Sequence, residues 1–178
     1  MFVLYILSAV FLCLTFYFAF KINAMLPITW AAARGKTLKV KKLLAKGSNP
    51  DYKNKAGYTA LMLACFGGYE DIVSVLLNSG AGLDLCDKQG HTALMLAALN
   101  GYENICTLLI KNGAAINAVD DEGCTALMYA AANGHIKTAE VLIKAGADKK
   151  VKDKQGRTAH MFATCKGWKD IENLILKN

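Results

Sequence analysis

Hydrophobic residues recur in short helical runs along most of this chain, and the runs return at a fixed distance. Residues 90–97 read Gly-His-Thr-Ala-Leu-Met-Leu-Ala, and close copies of this stretch begin at Gly57, Gly123 and Gly156. Together with Gly90, these glycines are spaced 33 residues apart. A constant period of that size predicts a stack of repeats, in which each unit buries its apolar face against the next.

Within one unit, residues 54–86, the pattern predicts two helices followed by a loop. Thr59 precedes the first apolar run as a helix-capping residue, and a glycine pair ends that run. The second run starts with Glu70, whose carboxylate favours the positive end of the helix dipole, and it ends at Gly80. The loop to the next unit begins with Asp and ends with Gly, as a β-turn does.

The same order of helix, turn, helix and hairpin loop divides the chain after residue 20 into five units. The first unit lacks the Gly and Thr of the motif, as expected of a terminal unit with no neighbour on its outer side. The predicted units are 21–53, a degenerate N-terminal cap; 54–86, 87–119 and 120–152, full repeats; and 153–178, a C-terminal cap. The predicted fold is an all-α solenoid of about five helix-turn-helix repeats with β-hairpin loops, preceded by one hydrophobic helix.

That hydrophobic helix is predicted at residues 1–20, which carry no charged side chain. Twenty helical residues span about 30 Å, the thickness of the hydrocarbon core of a bilayer, so we expect a transmembrane anchor. A cleaved signal peptide is the alternative, although no Lys or Arg precedes the apolar core and the core exceeds the usual length of about 7–15 residues. In that alternative the repeats act in the periplasm or outside the cell, as an effector or as a protective partner of an enzyme.

The net charge of +7 is concentrated beside this segment. Residues 21–56 carry nine Lys and Arg against one acid, whereas residues 57–178 carry twelve basic and thirteen acidic residues. Basic residues next to a membrane span stay in the cytoplasm, so we expect a single-pass membrane protein with a cytoplasmic repeat body.

The basic segment is also a candidate contact for anionic lipid headgroups. A topology signal with a solvated surface is the other interpretation, and nucleic acid is not expected because no recognition motif accompanies the basic residues. The candidate lipid-headgroup residues are Arg34, Lys36, Lys39, Lys41 and Lys42.

The repeated motif resembles that of the ankyrin-repeat family over all residues after the first twenty. The resemblance rests on the G-x-T-A-L-M-x-A pattern, the Gly-Tyr or Gly-His step after it and the L-[LI]-x-x-G-A endings at the same period. Alanine stands where the family often has proline, and methionine (Met62, Met95, Met128 and Met161) stands where it often has histidine. Because methionine cannot reproduce the hydrogen bonds that this histidine makes between repeats, we expect the stack to rely more on apolar packing.

The resemblance implies a protein that binds another protein through a concave face, made of the hairpin tips and the first helices. Tyr58, Phe66 and Leu99 are apolar on that face, as interface anchors are, although isolated exposed apolar residues are also common. The candidate partner-binding residues by register are Lys55, Tyr58, Phe66, Lys88, Gln89, His91, Leu99, Asn100, Asp121, Glu122, Cys124, Asn133, Lys154, Gln155 and Arg157.

Candidate catalytic and metal-binding patterns are weak. The six cysteines follow no C-x-x-C spacing, and Cys65 and Cys106 are interpreted as reduced core thiols. No spacing typical of a catalytic triad or phosphate loop occurs. We interpret Cys124 as a hairpin-tip residue and His135 as an interhelical residue, not as nucleophile and base. No enzyme activity, cofactor or metal is expected.

Overall fold

The computed structural model describes residues 27–177, which fold into ten helices in five consecutive pairs. The helices are α1 Ile28–Ala33, α2 Thr37–Ala45, α3 Ala60–Gly67, α4 Glu70–Asn78, α5 Ala93–Leu99, α6 Glu103–Lys111, α7 Ala126–Ala132, α8 Ile136–Lys144, α9 Ala159–Lys166 and α10 Lys169–Leu176.

The two helices of each pair lie in separate layers. The first helices, α1, α3, α5, α7 and α9, pack one after another, and the second helices, α2, α4, α6, α8 and α10, form the layer behind them. Each helix also packs against the other helix of its pair. This arrangement confirms the predicted all-α solenoid for the described residues.

Threonine caps start the first helices of the middle pairs. The Thr59 and Thr92 hydroxyl oxygens accept the backbone N–H groups of Met62 and Met95 at 3.2 and 3.4 Å. In return, the sulfur atoms of Met62 and Met95 each accept the N–H of the capping threonine at 3.4 Å. Methionine therefore satisfies a free donor at the helix start, a role that the sequence did not predict.

The core lies between the two layers and continues from pair to pair. The inward methionines of the middle pairs are buried, with Met62 and Met95 each 1% exposed. Met161 holds the same register position in α9 but is 46% exposed, because no helix among residues 27–177 packs over its outer side.

The loops between pairs are turns, and this corrects the predicted β-hairpins. The Asp87 N–H donates to the His91 carbonyl oxygen at 3.1 Å, while Asp87 Oδ1 accepts the N–H groups two and four residues later at 2.8 and 2.9 Å. Within residues 27–177 there is one isolated antiparallel bridge, Cys86–Thr92, and no longer strand. The carboxylate takes the His91 N–H, the donor that a strand ladder would direct to the Asp87 carbonyl oxygen.

The hydrophobic helix predicted at residues 1–20 lies outside the described residues. Among residues 27–177, no helix combines the length and apolar character needed to cross a membrane. Each unit predicted from the period contains one of the helix pairs, and the unit boundaries themselves stay a prediction.

Thr138 in α8 is a polar residue inside the apolar core. It takes the register position that isoleucine holds in α4, α6 and α10, and it is 1% exposed. Its hydroxyl has no hydrogen-bond partner among the described residues. A buried hydroxyl without a partner costs roughly 1–3 kcal/mol. Thr138→Val is therefore expected to raise the free energy of unfolding by about 1 kcal/mol in urea titrations.

Thr107 in α6 is the matched control for this prediction. Its hydroxyl donates to the Glu103 carbonyl oxygen at 2.8 Å, so the same change to valine removes a bond that exists. Thr107→Val is expected to leave the free energy of unfolding unchanged or lower it. Equal shifts in the two variants would show that the Thr138 hydroxyl is not the source of the instability.

Candidate functional site

A groove follows the first helices where they meet the loops between units. The groove contains a cavity of about 290 Å³, which we call the groove pocket. The pocket is lined by Tyr58, Leu63, Phe66, His91, Met95, Leu96, Leu99 and Tyr129. It brings together four of the candidate partner-binding residues, Tyr58, Phe66, His91 and Leu99, which lie up to 41 positions apart in the chain.

Beside the pocket, a chain of hydrogen bonds links two buried carboxylates. The side chains of Asp87 and Asp120 are 0% and 2% exposed. His91 Nδ1 lies 2.9 Å from Asp87 Oδ2, and His91 Nε2 lies 3.1 Å from the Tyr129 hydroxyl oxygen. The Tyr129 hydroxyl in turn donates to Asp120 Oδ2 at 2.5 Å. These four side chains, the groove relay, tie two neighbouring loops together.

The polar atoms of His91 and Tyr129, two residues that line the groove pocket, are hydrogen-bonded within the groove relay. Because the Tyr129 hydroxyl donates its hydrogen to Asp120, its oxygen faces His91 as an acceptor. Both ring nitrogens of His91 therefore face oxygen atoms of the groove relay. The His91 and Tyr129 rings meet edge to face, with centroids 5.9 Å apart. What the two rings offer to the pocket is therefore mainly their carbon surfaces.

The pKa shifts of the groove follow from the same contacts. Burial, followed by the charge of Asp87 and a hydrogen bond to it, raises the pKa of Tyr58. Burial and the Asp120 carboxylate raise the pKa of Tyr129 in the same way. Burial alone would raise the pKa of Asp87, but hydrogen bonds from the His91 side chain and two backbone N–H groups hold it below its usual range. At neutral pH the phenols are neutral donors and the Asp87 carboxylate is charged.

Two amides hold the rim of the groove. Asn100 Nδ2 donates to the Phe66 carbonyl oxygen at 3.0 Å and so joins two units. Asn133 Nδ2 donates to the Tyr129 carbonyl oxygen at 2.8 Å, within its own helix end. Both residues were candidate partner contacts, and in this structure their side-chain amides support the backbone next to the pocket.

The comparison with protein families agrees with this geometry. Residues 28–120 and residues 112–178 each match the family model described as ankyrin repeats (3 copies), so the matches cover more than half of the chain. This chain belongs to the ankyrin-repeat family. A search of curated proteins gives no match to it.

The tips of the ankyrin loops carry most of the other candidate residues, and all of these are exposed: Lys55, Lys88, Gln89, Asp121, Glu122, Lys154 and Gln155. Backbone bonds fix the spacing of the tips. The Asp121 N–H donates to the Gln89 carbonyl oxygen at 3.0 Å, and the Lys154 N–H donates to the Glu122 carbonyl oxygen at 2.9 Å. The tips therefore form one continuous row beside the groove.

Arg157 gives the last ankyrin unit a different surface at the position of Tyr58 and His91. Its Nε donates to Asp153 Oδ2 at 2.7 Å, and its guanidinium carbon lies 4.5 Å from the centroid of the Phe162 ring. Burial would raise the pKa of Asp153, but hydrogen bonds from the backbone and side chain of Arg157 lower it. Arg157 therefore lies over the aromatic ring in this unit.

Cys124 and His135 lie at opposite ends of α7. Burial, followed by the charges of Asp120 and Asp153, raises the pKa of Cys124 to about 11, so its thiol is protonated and a poor nucleophile at neutral pH. His135 Nε2 lies 3.0 Å from the Leu99 carbonyl oxygen, an interhelical contact between units. Among residues 27–177, no cluster of three or more His, Cys, Asp or Glu residues could hold a metal ion.

Tyr129 is one of the groove residues that the sequence pattern did not predict as part of the site. It occupies the motif position of Leu63 and Leu96 in the two preceding ankyrin units. The pattern of leucines predicts that this position belongs to an apolar helix face. The signal was available, because a tyrosine at a repeated leucine position brings a hydroxyl to a place where the other units have none. The candidate lipid-headgroup residues lie away from the groove, on α2 and on the turn before it.

Proposed function

We propose that this ankyrin stack is a non-catalytic interaction module whose groove binds a partner protein. The observation that carries the proposal is the groove pocket, where Phe66 is 51% exposed beside Tyr58 and Leu99. Exposed aromatic and aliphatic side chains that converge on one concavity are typical of interface anchors.

The pocket also limits what the partner can present. The polar atoms of His91 and Tyr129 are hydrogen-bonded within the groove relay, so a partner group gains little by bringing its own donor or acceptor to them. An apolar side chain of the partner loses nothing there and buries carbon against carbon. We therefore propose that the partner inserts a leucine, methionine or aromatic side chain into the groove pocket. The charged loop tips lie beside this contact and set its orientation.

We also propose that the module is held at a membrane by residues 1–20, with the repeats on the cytoplasmic side. The absence of charge in that segment and the basic residues that follow it support this placement. Fractionation with N-terminal sequencing tests it. A mature chain that starts near Met25 and is recovered free of membranes would contradict the anchor and favour the exported alternative.

Partner capture tests the groove. The full chain in mild detergent serves as bait, and the native protein is compared with a Phe66→Ala/Leu99→Ala variant. Interface anchors contribute about 2 kcal/mol each, so the loss of both is expected to weaken binding of the captured protein roughly 700-fold. The affinity of that protein for both baits is then measured by titration.

Met161→Ala/Leu176→Ala is the matched control. These residues are also exposed apolar side chains, 46% and 59%, but they lie at the far end of the stack. The control is expected to bind the captured protein as the native chain does. Unchanged affinity of the groove variant, or equal losses in the two variants, would reject the groove as the binding site.

A further inference from the structure

A second surface, the α2 patch, lies at the N-terminal end of the stack. It consists of Trp30 in α1, Arg34 and Lys36 on the turn, and Leu38, Lys39, Lys41 and Lys42 in α2. A cavity of about 490 Å³ opens between Trp30, the turn and Leu38. Leu38 is 75% exposed, and it has the largest exposed fraction of the large apolar side chains among the described residues.

The helical period places apolar and basic groups of the patch on one outer face. Leu38, Lys41 and Lys42 are spaced i, i+3 and i+4, so they share a face of α2. Val40 is completely buried, and it shares the opposite face with Leu43 and Leu44, which pack against the core. The outer face is therefore one exposed leucine with lysines around it.

Trp30 connects this face to the turn. The guanidinium carbon of Arg34 lies 5.6 Å from the centroid of the Trp30 ring, and Lys39 Nζ lies 5.2 Å from it. Cation–π contacts of this kind hold long basic side chains against an aromatic ring. Residues 27–50 contain six Lys and Arg and no Asp or Glu, so this segment of the sequence is strongly basic.

We propose that the α2 patch lies on an anionic bilayer surface, with Leu38 and Trp30 at the level of the headgroups and the basic side chains on lipid phosphates and carboxylates. Tryptophan is favoured at membrane interfaces, and an exposed leucine ringed by lysine is typical of an interfacial helix. The positive charge of the patch complements the negative charge of anionic lipid headgroups. The patch then fixes the tilt of the ankyrin stack and leaves the groove facing away from α2.

This surface is separate from the groove, so loss of partner capture leaves the proposal intact. It relies on the proposed membrane attachment only to bring α2 to the bilayer. Separate measurements distinguish failure of the membrane attachment from failure of the α2 patch proposal. Co-elution of the chain with lipid particles reports attachment, and the fluorescence of Trp30 reports contact of the α2 patch with lipid.

The test uses the full chain with Trp168→Phe, in which Trp30 is the remaining tryptophan of the two. The chain is reconstituted into nanodiscs of phosphatidylcholine alone or of phosphatidylcholine with phosphatidylserine, both with brominated acyl chains. We expect Trp30 emission to shift to shorter wavelength and to be quenched more strongly when phosphatidylserine is present. Added salt is expected to remove the difference, because it screens the charges.

Two charge-reversed variants of equal net charge complete the experiment. Lys36→Glu/Lys41→Glu is expected to abolish the difference between the two lipid compositions, and Lys150→Glu/Lys152→Glu, at exposed positions of the far end, is expected to keep it. Circular dichroism checks that both variants fold. Equal Trp30 emission in the two compositions, or equal losses in the two variants, would overturn the proposal. Binding to duplex DNA that is lost only in Lys36→Glu/Lys41→Glu, with no lipid effect, would overturn it in favour of nucleic acid.

Discussion

Replacing Asp120 with alanine is expected to lower the free energy of unfolding by roughly 3–5 kcal/mol, because each buried donor left without an acceptor costs about 1–3 kcal/mol. Asp120 Oδ1 accepts the N–H groups of Glu122 and Cys124, both at 2.8 Å, and Oδ2 accepts the Tyr129 hydroxyl. Alanine leaves all three donors without this acceptor, in a loop that the next unit packs against. Urea unfolding followed by circular dichroism measures the change.

Asp120→Asn separates the fold from the relay. In the unit of residues 54–86, Asn54 takes the position equivalent to Asp120. Its Oδ1 accepts the N–H groups of Ala56 and Tyr58 at 2.9 and 3.1 Å. Asparagine at 120 is expected to keep the loop in the same way and to cost only about 1–2 kcal/mol, because it loses the charged acceptor of Tyr129. If alanine and asparagine destabilise equally, the two backbone bonds to Oδ1 do not hold the loop.

The second large effect is expected at Gly90, where alanine should lower the free energy of unfolding by roughly 2–5 kcal/mol. Gly90 has a φ of +81°, which side chains with a Cβ rarely adopt. A Cβ there would also lie 2.8 Å from the backbone nitrogen of Asp121 and 3.0 Å from the Cα of Asp120. Since both atoms are backbone, the clash moves the next loop and strains the bond from the Asp121 N–H to the Gln89 carbonyl oxygen.

Gly156 is the matched control, because it holds the same position in the last unit. Its φ is +78°, but a Cβ there has nothing within 4 Å. Gly156→Ala is expected to cost only the backbone strain, roughly 1–2 kcal/mol. The unfolded-state effect of replacing glycine is the same in both variants, so the difference measures the contact between units. Equal losses of unfolding free energy would contradict the account of tight loop stacking.

The two predictions bear on function through the same elements. Asp120 anchors Tyr129, and Gly90 sets the distance between the loops that carry His91 and Asp121. Both changes should therefore weaken partner binding beyond their effect on stability. The groove is a property of neighbouring units held at fixed spacing, and a single unit does not contain it.

Much of the fold could be read from the chain because its signals are local. Thr59 and Thr92 lie next to the helices that they cap, and the glycines lie at the turns that they allow. The 33-residue period shows that each unit packs on its neighbour, and the family match agrees with that. The predicted β-hairpins were wrong because the His91 N–H donates to Asp87 Oδ1 and not to a backbone carbonyl across a strand ladder. The sequence pattern does not show which of these two acceptors the N–H group takes.

The sequence predicted only some of the residues that form the candidate site. Tyr58, Phe66, His91 and Leu99 were placed on one face by register, and they do line one pocket. Tyr129 was missed because its motif position is leucine in the two units before it, and its hydroxyl matters only through His91, 38 residues earlier. Asn100 and Asn133 stay predicted partner contacts, and the structure adds that their amides donate to backbone carbonyls beside the pocket.

The amino-acid sequence by itself therefore determined the helices, their caps, the repeat and the family, since each depends on neighbours within a few residues or on a regular period. It also concentrated positive charge in one segment near residues 34–46. Only the tertiary structure decided that His91 and Tyr129 satisfy each other beside an apolar pocket, and that Leu38 and Trp30 share the α2 patch with those lysines. Such contacts join side chains from different helices and units, and their distances depend on how closely the backbone of one element approaches the next.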